Sequence, residues 1–82
     1  MQVVKVYGRE TCEDTRHTVA YLESLNVKYE YIEIDEDIEG QEFVRRHNAG
    51  KDQTPTLDVA GEILSEPSDT ELESVLRDKQ LA

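Results

Sequence analysis

The chain has 82 residues, and its 19 acidic residues against 9 basic ones give it a net charge of −10 at pH 7. A chain of this length forms one small domain, so we expect a single domain over residues 1–82. So acidic a surface has little affinity for phosphate backbones or anionic lipid headgroups, which argues against nucleic-acid and membrane partners. No apolar stretch approaches the roughly 20 residues of a membrane-spanning helix, and the first residues do not resemble a signal peptide. We therefore expect a cytoplasmic monomer.

The first half of the chain predicts a strand, a helix and a second strand. Alternation over residues 2–7 indicates a strand that is buried on both faces, and a loop follows it at residues 8–11. Residues 13–25 lack glycine and proline and carry apolar side chains at helical spacing, and Asn26 is expected to end this helix. The apolar positions of the helix are Val19, Ala20, Leu22 and Leu25. The β-forming residues at positions 27–35 predict the second strand.

The next segment predicts a second helix. Asp37 is the expected N-cap of a helix over residues 38–48, and Gly50 lies beyond its end. We expect Phe43 and Val44 on the inner face of this helix.

The last third predicts a hairpin and a third helix. Residues 56–59 and 62–64 are short strand candidates, and Ala60 and Gly61 suit the turn between them. The spacing of Ser68 and Glu71 is that of a reciprocal capping box. The last helix carries the stripe Leu72, Val75 and Leu76 and ends near Leu81. The order β-α-β-α-β-β-α therefore predicts an α/β fold, a small mixed sheet flanked by three helices.

Cys12 is the only cysteine, and it lies at or just before the start of the first predicted helix. The free amides and the dipole of a helix start stabilise a thiolate and lower a thiol pKa that begins at about 8.5. A thiolate attacks disulfide sulfurs, so this position suits thiol–disulfide exchange. Glu13 and Asp14 act in the opposite direction, since nearby like charge raises the pKa. On these grounds an inert cysteine at a helix start is an equal alternative.

Thr54 and Pro55 stand directly before the third predicted strand, where a proline is tolerated. A cis bond there would expose the Thr54 backbone for pairing with an extended ligand, but trans is the commoner state and the residues alone favour it. His17 and His47 have no partner at metal-ligand spacing, so we expect two surface residues and no metal site.

The order of elements, with Cys12 at the first helix start and Thr54-Pro55 before the third strand, resembles the glutaredoxin branch of the thioredoxin fold. The segment Tyr7-Gly-Arg-Glu-Thr-Cys12 is similar to the family pattern Tyr-x-Lys-x-x-Cys, with Arg9 at the usual lysine position. The segments most similar to mycoredoxins and related actinobacterial glutaredoxin-like proteins are residues 42–50, 54–57 and 64–68. The similarity covers nearly the whole chain.

The resemblance implies an oxidoreductase that reduces protein–small-thiol mixed disulfides. Its co-substrate would be a low-molecular-weight thiol such as glutathione or mycothiol, with no prosthetic cofactor. The resemblance also implies that Pro55 is cis and faces the catalytic cysteine, and that Thr54 backbone groups pair with the peptide part of the thiol. Arg9 would bind a carboxylate of the small thiol, and Ser68 and Asp69 would bind the other end of the same molecule.

The sequence departs from the family pattern at several positions, and these departures limit which glutaredoxin-type reactions the chain is expected to perform. Thr15 stands where dithiol members have a second cysteine, so only a monothiol route through Cys12 remains. The motif also differs from the Cys-Gly-Phe-Ser of cluster-binding monothiol glutaredoxins, which makes a [2Fe–2S] cluster bridged by two chains the least favoured alternative. Ser65 and Glu66 stand where many members have two glycines, so an anionic thiol such as glutathione would meet more negative charge here.

The other alternative is a redox-inactive thioredoxin-fold module that docks a basic partner. Seven carboxylates and no lysine or arginine lie between residues 30 and 42. The same run is typical of a solvated face that keeps a protein soluble, so the oxidoreductase is the first hypothesis.

Overall fold

The computed structural model describes residues 4–82, which form seven helices and strands in the predicted order. The strands are β1 (Val4–Gly8), β2 (Tyr29–Glu33), β3 (Thr56–Val59) and β4 (Glu62–Ser65). The helices are α1 (Glu13–Ser24), α2 (Ile38–His47) and α3 (Asp69–Asp78). The predicted first strand begins at residue 2, and its first two positions lie outside the described residues. Between residues 4 and 82, none of the helices has the length and apolar character needed to cross a membrane.

The four strands form one mixed sheet in the order β2-β1-β3-β4. β1 pairs with β2 in parallel, and Tyr7 lies opposite Ile32. β3 runs antiparallel to both β1 and β4, which places Thr56 opposite Tyr7 on one side and Ser65 on the other. The predicted parallel core with an added hairpin is confirmed. This register brings the end of β1, the start of β3 and the end of β4 to the same end of the sheet.

The helices cover the two faces of the sheet unequally. α1 and α3 pack on the face that carries Val4 and Val6, and this side holds the main hydrophobic core. Its other fully packed members are Leu22, Val27, Leu57, Val59, Leu64, Leu72, Val75 and Leu76. α2 packs on the opposite face, where the Phe43 ring stacks on Tyr7 with centroids 4.4 Å apart. The predicted mixed sheet flanked by three helices is therefore confirmed.

β1 is buried on one face only, contrary to the prediction for this strand. Val4 and Val6 are fully buried, whereas Lys5 is exposed and Tyr7 is half-buried. On this face α2 contacts β1 at Tyr7, where Phe43 stacks on the ring, and Tyr7 remains half-buried.

α1 buries two threonines that its apolar pattern did not indicate. Of the predicted inner positions, Leu22 is fully buried but Ala20 is exposed. Thr15 and Thr18 take the inner positions instead. Spacings of three and four residues put Thr15, Thr18 and Leu22 on one helical face, so this face was set by packing rather than by hydropathy.

The predicted N-caps are present at α2 and α3. Asp37 accepts a hydrogen bond from the Gly40 N–H at 2.8 Å. Ser68 accepts one from the Glu71 N–H at 3.1 Å, which is the serine half of the expected capping box. Both caps satisfy amides that the first helical turn leaves unpaired.

Positive backbone angles mark the turns that the sequence predicts. Ala60 and Gly61 have φ of 52° and 95°, which is the geometry of a two-residue hairpin turn. Asn26 has φ of 58° and follows α1 as expected. α3 ends before Leu81, earlier than predicted, because Gln80 adopts a φ of 60°.

Gly8, at the end of β1, packs directly against Thr15 of α1. A Cβ atom at position 8 would lie 2.7 Å from Thr15 Oγ1 and 3.1 Å from Thr15 Cβ. Glycine is therefore required here for space. The contact sets the distance between the end of β1 and the first turn of α1, and so positions the loop between them.

We expect Gly8→Ala to lower the free energy of unfolding by about 1–3 kcal/mol, because the added methyl group overpacks the contact with Thr15. Urea denaturation followed by circular dichroism measures the change. In a Thr15→Ala background the same substitution should cost clearly less, since the side chain it collides with is gone. An equal cost in both backgrounds would contradict this account of position 8.

Candidate active site

Cys12 is the N-cap residue of α1, at the end of the loop that follows β1. Its backbone is extended, with φ of −90° and ψ of 120°. The Cys12 N–H donates to the Arg9 carbonyl at 3.0 Å, and the Cys12 carbonyl accepts from the Arg16 N–H at 3.1 Å. The helix start thus holds the backbone of Cys12, and the residue is partly exposed, so its thiol is accessible to a reactant.

The Thr54–Pro55 peptide bond is cis and lies against Cys12. The Cys12 Sγ donates to the Thr54 carbonyl at 3.6 Å, and Pro55 is buried. The residues alone favoured a trans bond, so the cis geometry implied by the family resemblance is the one observed. Folding thus brings together two groups that are 42 residues apart in sequence.

A network of polar side chains holds the segment around the cis bond. Asn48 Nδ2 donates to Thr56 Oγ1 at 3.1 Å, and the Thr56 hydroxyl donates to the Gln53 carbonyl at 2.8 Å. The Ser65 hydroxyl donates to Asn48 Oδ1 at 2.6 Å. Asn48 is only 8% exposed, and a buried polar network whose groups are all paired rigidifies its surroundings. The end of α2 and the end of β4 thereby fix the segment that faces Cys12.

The pKa of the Cys12 thiol lies below its usual value. Burial by itself raises this pKa, but hydrogen bonding to the Thr15 and Thr54 side chains and to the backbone of Thr15 and Asp14 outweighs burial. These backbone groups belong to the first turn of α1, so the helix start stabilises the thiolate. The sequence left open the direction of the shift, because Glu13 and Asp14 are close in sequence, and the net direction is a lowered pKa.

The Arg9 side chain turns toward carboxylates of its own chain. Its Nε donates to Asp35 Oδ1 at 2.8 Å and its Nη2 to Asp52 Oδ2 at 3.4 Å. Asp52 is shared with Arg45, whose Nε lies 2.6 Å from Asp52 Oδ1. The hydrogen bond from Arg45 is the main reason that the pKa of Asp52 is lowered, and Arg9 adds to the effect. Arg9, which the family resemblance predicts to bind a carboxylate of the small thiol, therefore already pairs with two carboxylates of its own chain.

Ser68 and Asp69 lie at the start of α3, next to a small cavity of about 170 Å³ beside Pro55. The cavity is lined by Asp14, His17, Thr18, Pro55, Glu66 and Pro67. The Ser68 hydroxyl caps α3, while both carboxylate oxygens of Asp69 lie 2.9 Å from His17 Nε2. His17 is exposed as expected, and it also links α1 to α3.

Of the predicted site residues, the structure brings Cys12 and the Thr54–Pro55 bond into direct contact. The residues near the site whose roles the sequence analysis missed are Thr15, His17, Asp35, Asn48 and Asp52. The position of Thr15 near the thiol could have been predicted from the sequence, because a residue three positions after Cys12 lies on the same face of the helix. The pairing of Arg9 with Asp52 could not have been predicted from local sequence patterns, since 43 residues separate them.

A larger cavity of about 590 Å³ lies beside β2 and carries a strong negative charge. The carboxylates that line it are Glu10, Glu30, Glu33, Asp35, Glu36 and Asp37. Across residues 4–82, no group of three or more His, Cys, Asp or Glu side chains is arranged to hold a metal ion. These carboxylates form a negatively charged surface beside β2.

Comparison with known families and curated proteins gives one match. The glutaredoxin family model matches residues 4–64, which span β1 into β4 and include Cys12 and the cis bond. None of the curated proteins matches the sequence.

Several solved structures share the fold at low sequence identity. The thioredoxin-like protein BC3987 superposes with a TM-score of 0.79 at 22% identity, over 89% of this chain and 99% of that one. A glutaredoxin from Archaeoglobus fulgidus gives a TM-score of 0.75 at 23% identity, over 94% and 88% of the two chains. Buckwheat glutaredoxin, solved as a glutathione complex, gives 0.69 at 18% identity, over 98% and 73%. These likenesses confirm the predicted thioredoxin-like fold.

Thr15→Val removes the hydroxyl beside Cys12 and keeps the side-chain volume. We expect the pKa of Cys12 to rise and its alkylation by iodoacetamide at neutral pH to slow about threefold, since one hydrogen bond to the thiolate is lost. Ultraviolet absorbance of the thiolate, followed against pH, measures the midpoint.

Thr18→Val is the matched control, because it makes the same change at a buried threonine one turn further along α1. The Cys12→Ser variant supplies the tyrosine absorbance to subtract. A midpoint that stays unchanged in Thr15→Val would contradict the assigned role of Thr15.

Proposed function

The chain belongs to the glutaredoxin family, and from that premise we propose that it is a monothiol thiol–disulfide oxidoreductase acting through Cys12. The observation that carries the proposal is the position of the thiol, partly exposed at the start of α1 and 3.6 Å from the Thr54 carbonyl. Its lowered pKa supports the same conclusion, because the thiolate is the attacking species in disulfide exchange. Thr15 occupies the position of a second cysteine, so no intramolecular disulfide can form.

The proposed reaction reduces a mixed disulfide between a protein and a small thiol in two exchanges. In the first, the Cys12 thiolate attacks the sulfur of the small thiol, the protein thiolate leaves and takes up a proton, and a Cys12–small-thiol disulfide remains. In the second, the thiolate of another small thiol attacks that disulfide. This releases the Cys12 thiolate and the oxidised small thiol, so each step conserves one disulfide bond.

The residues around Cys12 have distinct roles in this proposal. The first turn of α1 and the Thr15 hydroxyl hold the thiolate before attack and accept it as the leaving group afterwards. The backbone of Thr54, beside the cis bond to Pro55, would pair with the peptide part of the small thiol. Ser68 and Asp69 would lie near its other end, since they directly follow Pro67, which lines the cavity beside Pro55.

The small thiol and the setting are further parts of the proposal. Glutathione and mycothiol are the candidate co-substrates, the first supported by the buckwheat glutaredoxin structure solved with glutathione. The second rests on the similarity of residues 42–50, 54–57 and 64–68 to mycoredoxins. We propose that the chain acts as a single-domain monomer in the cytoplasm, where reduced thiols supply the second exchange.

A docking module for a basic partner is the second candidate function. The cavity beside β2, with its six carboxylates, is the observation that favours it. Binding that is lost at high salt and unaffected by Cys12→Ser would support this alternative, because neither property follows from disulfide exchange.

We expect the reduced protein, mixed with bis(2-hydroxyethyl) disulfide, to gain one small-thiol adduct on Cys12. Intact-mass measurement detects the adduct, and a second small thiol should remove it. The native protein should react several times faster at neutral pH than the same protein in urea, because only the folded site lowers the pKa of the thiol.

Cys12→Ser is the control and should gain no adduct. Absence of an adduct on the wild-type protein would contradict the proposed function. Equal rates for the native and the unfolded chain would show instead that the cysteine is an ordinary, unactivated thiol.

A further inference from the structure

The cavity beside Pro55 presents carboxylates to any ligand bound there. Asp14 and Glu66 line it, and the described chain contributes no lysine or arginine to its lining. Both acids are exposed, so their charge acts on an incoming ligand rather than on a buried partner. A disulfide lying between Cys12 and Pro55 would therefore meet negative charge on this side.

Asp69 adds a third carboxylate beside His17, which lines the same cavity. Both of its oxygens lie 2.9 Å from His17 Nε2. Among the described residues, no lysine or arginine forms an ion pair with Asp69.

Arg9, the cation predicted to bind a ligand carboxylate, is already neutralised by carboxylates of the chain. Arg9 pairs with Asp35 at 2.8 Å and with Asp52 at 3.4 Å, and only 27% of its side chain is exposed. Arg45 joins Asp52 at 2.6 Å, so two cations and two carboxylates balance one another. A ligand carboxylate would have to displace one of the chain's own before it could bind Arg9.

Arg16 is a further cation near Cys12 in sequence, and it faces away from this cavity. Its Nη1 donates to the Glu10 carbonyl at 2.8 Å. Its side chain lines the separate groove between α1 and β2. Arg9 and Arg16 are thus both engaged by groups of the chain and offer little attraction to an anionic ligand beside Pro55.

Resting on the proposed function, we infer that the Cys12 site selects small disulfides by charge, favouring those that carry an ammonium group over those that carry only carboxylates. Glu66 and Asp35 are the specificity-determining residues. Glu66 repels an anionic ligand in the cavity, and Asp35 keeps Arg9 occupied through the shorter of its two ion pairs. The chemical step is the same for every disulfide RSSR: the Cys12 thiolate attacks one sulfur, a Cys12–S–S–R bond forms, and RS⁻ leaves and takes a proton from water.

Three symmetric disulfides of similar size test this inference: cystamine, which is cationic, bis(2-hydroxyethyl) disulfide, which is neutral, and dithiodiglycolate, which is anionic. Adduct formation on Cys12 is followed by intact mass. Each rate is divided by the rate of the same disulfide with a small uncharged thiol, which removes intrinsic reactivity. We expect the corrected rates to fall in the order cationic, neutral, anionic, by about threefold per step at low salt, and to converge at roughly 1 M salt.

Variants separate the two charge effects. Glu66→Gln and Asp35→Asn should each raise the anionic rate relative to the cationic rate about threefold. Adding Arg9→Gln should abolish the gain of Asp35→Asn and leave the gain of Glu66→Gln, because only the former acts through Arg9. Glu62→Gln is the matched control, since it removes one negative charge at the opposite end of β4 from Ser65 and should leave the ratio unchanged.

The outcomes distinguish this inference from the function on which it rests. Adducts that form at corrected rates independent of charge, or fastest with the anionic disulfide, would overturn the inference and leave the oxidoreductase intact. A ratio that changes equally in Glu62→Gln would also overturn it, because the preference would then reflect net charge alone. Absence of adducts with all three disulfides would overturn the proposed function together with the inference.

Discussion

The first turn of α1 meets the cis Thr54–Pro55 bond at one end of the sheet, and the site depends on this meeting. The antiparallel register of β1 and β3, with Tyr7 opposite Thr56, brings the two segments to the same end. The absence of a side chain at Gly8 lets α1 approach β1 closely enough for Thr15 to lie under the loop. A shift in either constraint would separate the thiol from the carbonyl and remove the groups that lower its pKa.

The acidity of the chain has different consequences in different places. Most carboxylates on β2 and on the loop after it form a charged surface. They remain in contact with water, so their charges do not destabilise the buried core. Asp35 and Asp52 instead neutralise Arg9 and Arg45, so these two cations add almost no net positive charge near the loop before Cys12. Glu66 adds its charge to the cavity where a ligand would lie. Net charge alone therefore describes the electrostatics of this site poorly.

Local patterns were enough to predict the order and type of all seven elements, since caps, turn residues and hydrophobic spacing act over a few residues. Asp37, Ser68 and the Ala60–Gly61 turn behave as their sequence context indicates. The inner face of α1 was predicted poorly, because Thr15 is buried by its contact with Gly8 rather than by its own hydropathy.

The sequence by itself determined that the protein has one thiol, that this thiol lies at a helix start, and that no second cysteine can resolve it. Only the tertiary structure decided the contact between the Cys12 thiol and the Thr54 carbonyl, the cis geometry beside it and the pairing of Arg9 with Asp52. The physical reason is distance along the chain: these features join groups 42 and 43 residues apart. Their strength depends on hydrogen-bond geometry and exposure, which arise only when the sheet, the helices and the loops pack together.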